Sequence, residues 1–271
     1  MAGDTPPAST FPPTSSYSPN LSHPQGAQQK AALDTIAKVI GTFGKIYNGF
    51  ESHGEQNIPL QGPALIVFYH GLMPLDAWYF GLNFYLKTGR LVRGLGDRWL
   101  FKTPGMKRLV EAVGGVEGSP GAARRLIDEG NLVGVSPGGT REAISGTSNN
   151  YKLIWRSRTG FAKLAIETGV KIIPGFTRNV EELYRAPFVE HPLIQSLYEK
   201  TRWPIVPILG LGILPFPVKL VTYLGEAISP EPNETPDALA RRTRQAIEKL
   251  IQEHQPKDQS ITSAIIERFQ K

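Results

Sequence analysis

The stretch LIVFYHGLMPLD, residues Leu65–Asp76, decides how we interpret the rest of the chain. Its first five residues, 65–69, are apolar or aromatic and follow the turn-forming pair Gly62-Pro63, which predicts a short buried strand. The strand leads directly into His70, and Gly71 permits a turn after it. A histidine is therefore expected where a buried strand ends.

The second half of the stretch predicts a helix with an acid in its first turn. Pro74 suits the first helical position, because it lacks an N–H that this position would leave unpaired. Asp76 follows in the first turn, and lies near His70 if the loop folds back. A histidine and a carboxylate so placed can act as general base and orienting partner. The alternative is structural, because the helix dipole alone favours Asp at this position.

The composition is that of a globular protein, with 40% hydrophobic and 20% charged residues among 271. The absence of cysteine excludes disulfides, thiolate catalysis and cysteine-ligated metals. The formal net charge of +6 favours an anionic partner, such as a membrane surface or a phosphorylated cofactor. Neither an aromatic-basic recognition module nor zinc-finger spacing is found, so we do not expect a nucleic-acid partner. The histidines are too scattered to predict a metal site.

Three segments differ in composition. Residues 1–27 are rich in Pro, Ser and Thr, which predicts a disordered leader. Residues 28–50 place apolar side chains at helical spacing, which predicts an amphipathic helix that either attaches to a membrane interface or, as we favour, packs on the domain. Residues 51–271 alternate short apolar strands with helices, which predicts one α/β domain. The longest uncharged run, Trp203–Val218, is too short and too broken by prolines to span a bilayer.

A second motif, SPGGTRE at Ser136–Glu142, follows another short apolar strand. Its adjacent glycines, Gly138 and Gly139, let backbone N–H groups approach an anion or an oxyanion. Arg141 adds a cation that is well suited to phosphate. The alternative is a structural loop in which Arg141 and Glu142 form an ordinary surface ion pair.

Two further segments have less specific patterns. The apolar run Val170–Ile173 predicts a strand that Pro174 stops. A basic region is opposed by Asp97 alone, and it either receives phosphates or forms a solvated face. Its six cations are Arg90, Arg93, Arg98, Lys102, Lys107 and Arg108.

In this order, FYHGLMPLD, SPGGTRE and the strand end at Pro174 resemble the PlsC-like superfamily of glycerolipid acyltransferases. The match is strongest to the transmembrane protein 68 group, which is diacylglycerol acyltransferase-like, and to plant phytyl-ester-synthase-like acyltransferases. It covers most of residues 50–269. The resemblance implies a mixed central sheet flanked by helices, and transfer of a long fatty acyl chain, usually from acyl-CoA, to a lipid hydroxyl. It also implies no metal or redox cofactor, and attachment to the cytosolic face of the endoplasmic reticulum or another intracellular membrane.

The same resemblance assigns roles to the residues of the motifs. His70 is implied to be the general base that deprotonates the acceptor alcohol, with Asp76 orienting it and stabilising its imidazolium. The remaining candidates would bind substrate, by lining the phosphate region or oxyanion site or by shaping the pocket, and are Gly138, Gly139, Arg141, Glu142 and Pro174.

The chain departs from the broad superfamily at three points. Five residues separate His70 from Asp76, as in the subgroup, where the broad superfamily has four. Gly138 stands where the broad third block has Glu, which removes a carboxylate and argues against glycerol-3-phosphate as acceptor. The transmembrane protein 68 group also has N-terminal membrane helices, whereas this chain has its Pro/Ser-rich leader, which predicts a peripheral variant or a partial chain.

Three hypotheses follow. In the first, the protein acylates mono- or diacylglycerol and so contributes to triacylglycerol synthesis. In the second, the chemistry is the same but the acceptor is a lysophospholipid or a wax-type alcohol. In the third, the protein binds lipid at a membrane surface without catalysis. We prefer an enzyme, because His70, Asp76 and the motif around Arg141 are all intact.

Overall fold

The computed structural model describes residues 24–69, 71–143, 151–188, 191–201, 207–212 and 214–270. Strands in this part of the chain are Glu51–His53 (β1), Ala64–Phe68 (β2), Val92–Gly96 (β3), Val116–Glu117 (β4), Leu132–Val135 (β5), Ile172–Arg178 (β6) and Val221–Leu224 (β7). They form one seven-stranded sheet in the order β1-β7-β6-β2-β5-β3-β4. The strands from β6 to β4 are parallel, β7 is antiparallel to β6, and β1 is parallel to β7. The predicted α/β fold with a mixed central sheet is confirmed.

Helices flank this sheet. Those with described ends are Pro24–Tyr47 (α1), Leu75–Thr88 (α2), Arg98–Lys102 (α3), Met106–Ala112 (α4), Pro120–Asp128 (α5), Gly160–Thr168 (α6), Pro192–Thr201 (α7), Pro236–His254 (α8) and Ile261–Glu267 (α9). Residues 139–143 are also helical, and Glu55–Asn57 and Glu181–Leu183 form short 3-10 helices.

The pairing of three central strands positions the candidate residues. All five residues of β2 are buried, as expected for a central strand in a covered parallel sheet. Val67 of β2 lies opposite Val135 of β5 and Pro174 of β6. Since β2, β5 and β6 run in the same direction, the loops that follow them leave the sheet on one side. We call this side the carboxyl edge.

The prediction that Pro174 stops the strand was wrong, because β6 continues through Arg178. Pro174 lies within the strand and its carbonyl accepts a hydrogen bond from the N–H of Gly225, at 2.8 Å. Pairing with β7 begins one residue later, at Gly175 opposite Leu224. The missing N–H of Pro174 therefore falls at an irregularity in the pairing, between the pair Gly175–Leu224 and the isolated bridge Ile172–Ile228, where a proline is tolerated.

The amphipathic helix predicted for residues 28–50 is α1, which begins at Pro24 and packs on α2. Ala37 and the partly buried Ile40 face α2, and Tyr85 of α2 donates a 2.6 Å hydrogen bond to the carboxylate of Asp34. The predicted leader therefore overlaps the first turn of α1, and its residues 1–23 lie outside the described part of the chain. Among the helices that the structure describes, none has both the length and the apolar content needed to cross a bilayer.

Candidate active site

Asp76 is a buried acid at the carboxyl edge. It lies in the first turn of α2, and Pro74 occupies the N-cap rather than the first helical position that the sequence predicted. Its side chain is only 4% exposed. Burial raises the pKa of Asp76 to about 6, while hydrogen bonds from the Thr177 hydroxyl and from backbone N–H groups of the first turn partly oppose this shift. Asp76 is therefore an acid whose charge depends on its few hydrogen-bond partners.

The partner of Asp76 belongs to a pair of buried threonines. Thr177 of β6 lies opposite Thr222 of β7, and their hydroxyl oxygens are 2.9 Å apart. Each hydroxyl has one proton, so when Thr177 donates to Asp76, Thr222 must donate to Thr177. The sequence analysis missed both residues. The available signal was that each is a hydroxyl residue in an otherwise apolar buried strand.

His70, the predicted general base, lies outside the described residues, but both of its neighbours are placed. The Tyr69 hydroxyl donates a hydrogen bond to the Glu181 carboxylate. On the other side, a Cβ on Gly71 would come within 2.5 Å of Val180 Cγ2, so the backbone at Gly71 lies directly against Val180. One short segment, 180–181, therefore contacts the chain on either side of His70.

Glu181 is part of a partly buried hydrogen-bond network that was not predicted from the sequence. Its carboxylate also accepts a 3.1 Å hydrogen bond from the backbone N–H of Tyr151, whose hydroxyl donates to Glu182. Burial, together with the neighbouring carboxylates of Glu182 and Glu142, raises the pKa of Glu181 to about 8. Two adjacent acids after a strand are usual for a solvated turn, so only the fold reveals that these are partly buried and hydrogen-bonded.

The motif SPGGTRE forms a tight turn after β5 and then the helical residues 139–143. Gly139 has φ 56°, in the left-handed region that glycine favours. Glu142 is fully buried, and its carboxylate accepts a 2.7 Å hydrogen bond from the N–H of Ile154. Its side chain lies against the Cα of Gly138, in the space that a Cβ there would need. The structure therefore supplies a carboxyl group beside the position where the broad superfamily carries its glutamate.

Arg158 supports this turn and was missed in the sequence. Its guanidinium donates to the carbonyl oxygens of Pro137 and Gly138, at 2.9 and 2.8 Å. The Thr140 hydroxyl donates at 2.7 Å to Asp97, the N-cap of α3. Arg141 lies half-buried on the same helical turn. The glycine turn is thus fixed from two directions.

Pro174 does not lie at the end of its strand, where a residue could join the other candidates. Pro174 is buried within β6, three residues before Thr177. Its ring packs near Gly225, where an added Cβ would come within 2.9 Å of Pro174 Cγ. Thr177, rather than Pro174, is therefore the residue of β6 that contacts Asp76.

The basic region is divided between separate places. Arg90 donates to the carbonyl oxygens of Gly62 and Gly130, at 2.6 and 2.9 Å, and these residues precede β2 and β5. Arg98 pairs with Glu117 at 3.1 Å. A concavity of about 390 Å³ is lined by three other cations of the region, Lys102, Lys107 and Arg108. The six cations therefore do not form one cluster, and these three remain the candidates for a phosphate.

Comparisons with known proteins show the family to which the chain belongs. The Acyltransferase family model matches residues 49–177, which include His70, Asp76, SPGGTRE and Thr177. Proteins from Bos taurus and Gallus gallus, each named "DGAT1/2-independent enzyme synthesizing storage lipids", are 39% and 40% identical to this chain. Each alignment spans 88% of this chain and 70% of the relative.

A solved structure has the same fold. The 1-acyl-sn-glycerophosphate (LPA) acyltransferase PlsC from Thermotoga maritima matches with a TM-score of 0.55 at 19% identity. The match covers 83% of this chain and 82% of that one.

Proposed function

The chain belongs to the acyltransferase family and is an acyltransferase of glycerolipid synthesis, and from this premise we propose its substrates and catalytic residues. The proposed donor is a long-chain acyl-CoA, and the proposed acceptor is the hydroxyl of mono- or diacylglycerol. The observation that carries the catalytic proposal is the buried carboxyl of Asp76 at the carboxyl edge, six positions after His70.

In the proposed reaction, the His70 imidazole removes the proton of the acceptor hydroxyl as its oxygen attacks the thioester carbonyl carbon. The tetrahedral intermediate collapses, the C–S bond breaks, and the imidazolium returns the proton to the departing CoA sulfur. Asp76 would stabilise the imidazolium between these steps. A neighbouring positive charge favours the carboxylate, so it would lower the pKa of Asp76 below about 6 during the reaction.

The glycine turn is the proposed site for the developing oxyanion or for a phosphate of the donor. Arg158 binds the carbonyl oxygens of Pro137 and Gly138, which fixes the orientation of the peptide groups of the turn. Fixed backbone N–H groups stabilise an oxyanion well because they need no reorganisation during the reaction. Arg141 is the proposed cation beside them. Glu142 would act by holding the turn, since its side chain is fully buried.

An uncharged acceptor is supported by the relatives named for storage lipids. The aromatic residues of α2 give no such support, because Tyr79, Phe80 and Phe84 belong to the core.

The test is to incubate the purified protein with labelled oleoyl-CoA and separate acceptors, with products identified by mass spectrometry. The acceptors are monoacylglycerol, diacylglycerol, lysophosphatidate, lysophosphatidylcholine and hexadecanol. We expect triacylglycerol or diacylglycerol as the main product, and a loss of transfer by orders of magnitude in His70→Ala. Undiminished transfer by His70→Ala would remove the general base from the proposal.

A lysophospholipid acceptor is the second candidate, and the concavity at Lys102, Lys107 and Arg108 favours it. The same cations could instead bind the phosphates of CoA. Lys107→Ala separates the two, because a raised KM for acyl-CoA with every acceptor indicates the donor. A raised KM for lysophospholipid alone indicates the acceptor.

We also propose that the protein works at the cytosolic face of an intracellular membrane, where its acceptors are dissolved. The non-catalytic alternative predicts lipid binding without any acyl transfer. The panel above distinguishes it.

A further inference from the structure

A loop beside the site exposes a cluster of large apolar side chains. Ile208, Leu209, Leu211 and Leu214 are 40%, 52%, 55% and 42% exposed. The backbones of Leu211 and Leu214 exchange hydrogen bonds of 2.9 and 3.3 Å, and Gly212 has φ 67°, so the chain reverses direction within the loop. Residues 207–217 carry no charged side chain. Exposed apolar side chains grouped in this way are unusual on a surface that faces only water.

The end of α1 continues this cluster. Val39, Phe43 and Ile46 follow helical spacing on one side of α1 and are 63%, 37% and 69% exposed. Tyr47 joins the helix to the loop, because its ring stacks on Phe43 at 4.8 Å and its hydroxyl donates to the carbonyl of Pro215 at 2.8 Å.

The C-terminal residues add a third segment. Phe269 is 71% exposed, and Arg268 lies over the rings of both Phe269 and Tyr47, at 5.0 and 6.0 Å from their centroids. Arg268 also donates to the carbonyl of Ile46. We call the three joined segments the apolar face, and its members are Phe43, Ile46, Ile208, Leu209, Leu211, Leu214 and Phe269.

The apolar face adjoins the helix that carries Asp76. Asn48, directly after α1, donates to the carbonyl oxygens of Phe216 and Val218 at 3.2 and 3.0 Å and accepts from Tyr79 of α2 at 3.2 Å. The N–H of Phe216 donates to the carbonyl of Leu183 at 2.8 Å, in the short helix that begins with Glu181. The loop is therefore joined to the short helix of Glu181 directly and to α2 through Asn48.

The charges around the apolar face identify its occupant. The segments that form it or pair with it contribute the cations Lys45, Arg185 and Arg268, of which Arg185 pairs with Leu209 by two backbone hydrogen bonds. The acid among them, Glu267, is turned inward and pairs with Arg178 at 2.5 Å. Apolar side chains rimmed by cations match a bilayer with anionic headgroups.

We propose that the apolar face docks on a bilayer containing anionic phospholipid, and that the loop side chains Leu209, Leu211 and Leu214 insert there so that the acceptor lipid reaches Asp76 from the membrane. This inference rests on the proposed function, because it assigns the route by which a lipid acceptor enters. The occupant is the bilayer itself, rather than a protein.

The test uses Leu209→Asp/Leu211→Asp, with Leu60→Asp as the matched control. Leu60 is 69% exposed and lies before β2, at the opposite side of the sheet from the carboxyl edge. Docking is measured by cosedimentation with vesicles of phosphatidylcholine, either pure or containing about 30% phosphatidylserine, which gives the surface a clear negative potential. We expect wild type and Leu60→Asp to sediment with the anionic vesicles and the double variant to bind at least about tenfold more weakly. Lys45→Gln should reduce the preference for phosphatidylserine.

Acyl transfer supplies the second readout. With diacylglycerol in vesicles, the double variant should lose at least about tenfold in rate, in proportion to docking. With a short-chain diacylglycerol in solution, it should keep most of the wild-type rate. Vesicle binding by the double variant equal to that of Leu60→Asp, or no binding by wild type, overturns the docking proposal. Binding without any transfer by wild type leaves docking supported and overturns the proposed function instead.

Discussion

The side chain of Glu142 fills the space beside the Cα of Gly138, so close that a Cβ on residue 138 would overlap its carboxyl group. The two positions of the motif thus require glycine for different reasons. Gly139 adopts φ 56°, whereas Gly138 makes room for a buried acid. The Glu142 carboxylate in turn accepts a hydrogen bond from the backbone N–H of Ile154. A motif that looks like a simple anion-binding turn is therefore also a packing element.

Gly138→Ala should destabilise the protein by about 1–3 kcal/mol, the usual cost of overpacking a filled interior. The added methyl must displace the Glu142 carboxyl from its hydrogen bond with Ile154. Urea unfolding measures the loss, and acyl transfer should fall with it. The control is Gly121→Ala in α5, where no atom lies within 4 Å of the new Cβ, and which should be neutral or slightly stabilising. Equal stability of the two variants would contradict the packing role.

Asp76→Asn should make the protein more stable at neutral pH and much less active. Burial raises the pKa of Asp76 from 3.8 to about 6, so the folded state binds this proton more tightly than the unfolded state. The stability from this group is complete below pH 3.8 and is lost as pH rises through about 6. The loss reaches at most about 3 kcal/mol, from 1.36 kcal/mol per pKa unit.

The measurement is the free energy of unfolding of wild type and Asp76→Asn between pH 4 and pH 8. The advantage of Asn over Asp should be near zero at the acid end and should grow until about pH 7. Activity should fall by about 10²–10⁴-fold, because the imidazolium loses its carboxylate. A difference in stability that does not change with pH would show that the carboxyl is charged throughout.

Thr177→Val should lower kcat by about tenfold with little change in KM, which is the scale of one lost hydrogen bond to a charged group. The Thr177 hydroxyl lowers the pKa of Asp76, so its removal should move the acidic limb of the pH–rate profile to higher pH. Thr177→Ser should restore both properties. Thr222→Val should have a smaller effect, since Thr177 can still donate to Asp76. Loss of activity without movement of the acidic limb would indicate a packing defect only.

Glu181→Gln should be tolerated at pH 7, because burial raises the pKa of Glu181 to about 8 and a protonated acid resembles an amide. The wild-type protein should lose stability as pH rises from 4.5 through about 8, and the Gln variant should lose less. Glu181→Ala removes the acceptor of the Tyr69 hydroxyl, and acyl transfer should then fall because the strand end before His70 is released. Unfolding at pH 6 and pH 9 together with kcat tests both statements. Equal effects of Gln and Ala would contradict them.

The local part of the site was predictable from sequence. An apolar run bounded by Gly62-Pro63 and Pro74 is enough to specify β2, the turn and the start of α2. This places Asp76 in a first helical turn without any knowledge of the fold. The family resemblance then predicted the acyltransferase activity, which the comparisons confirm, and proposed His70 as the partner of Asp76.

The supporting contacts were not predictable, because they depend on pairing between distant segments. Thr177 and Thr222 are 45 residues apart and meet only through the antiparallel pairing of β6 with β7. The same pairing explains why Pro174 was misinterpreted, since a proline is compatible with a strand where the ladder on its N–H side is interrupted. No local pattern encodes where the pairing with a neighbouring strand is interrupted.

Charge clustering was also a poor guide. Arg90 and Lys102 are near each other in the sequence, yet Arg90 contacts loops before β2 and β5 while Lys102 lines a concavity at α3. Proximity in sequence fails here because β3 carries the chain from one side of the sheet to the other between them.

Arg90 has one further consequence. By donating to carbonyl oxygens of Pro59, Gly62 and Gly130, a single guanidinium ties the loops before β2 and β5 to its own segment before β3. The sheet is therefore secured at the end opposite the proposed site. We expect that the loops at the carboxyl edge can vary in sequence, and with them the acceptor, while these contacts hold the central strands together.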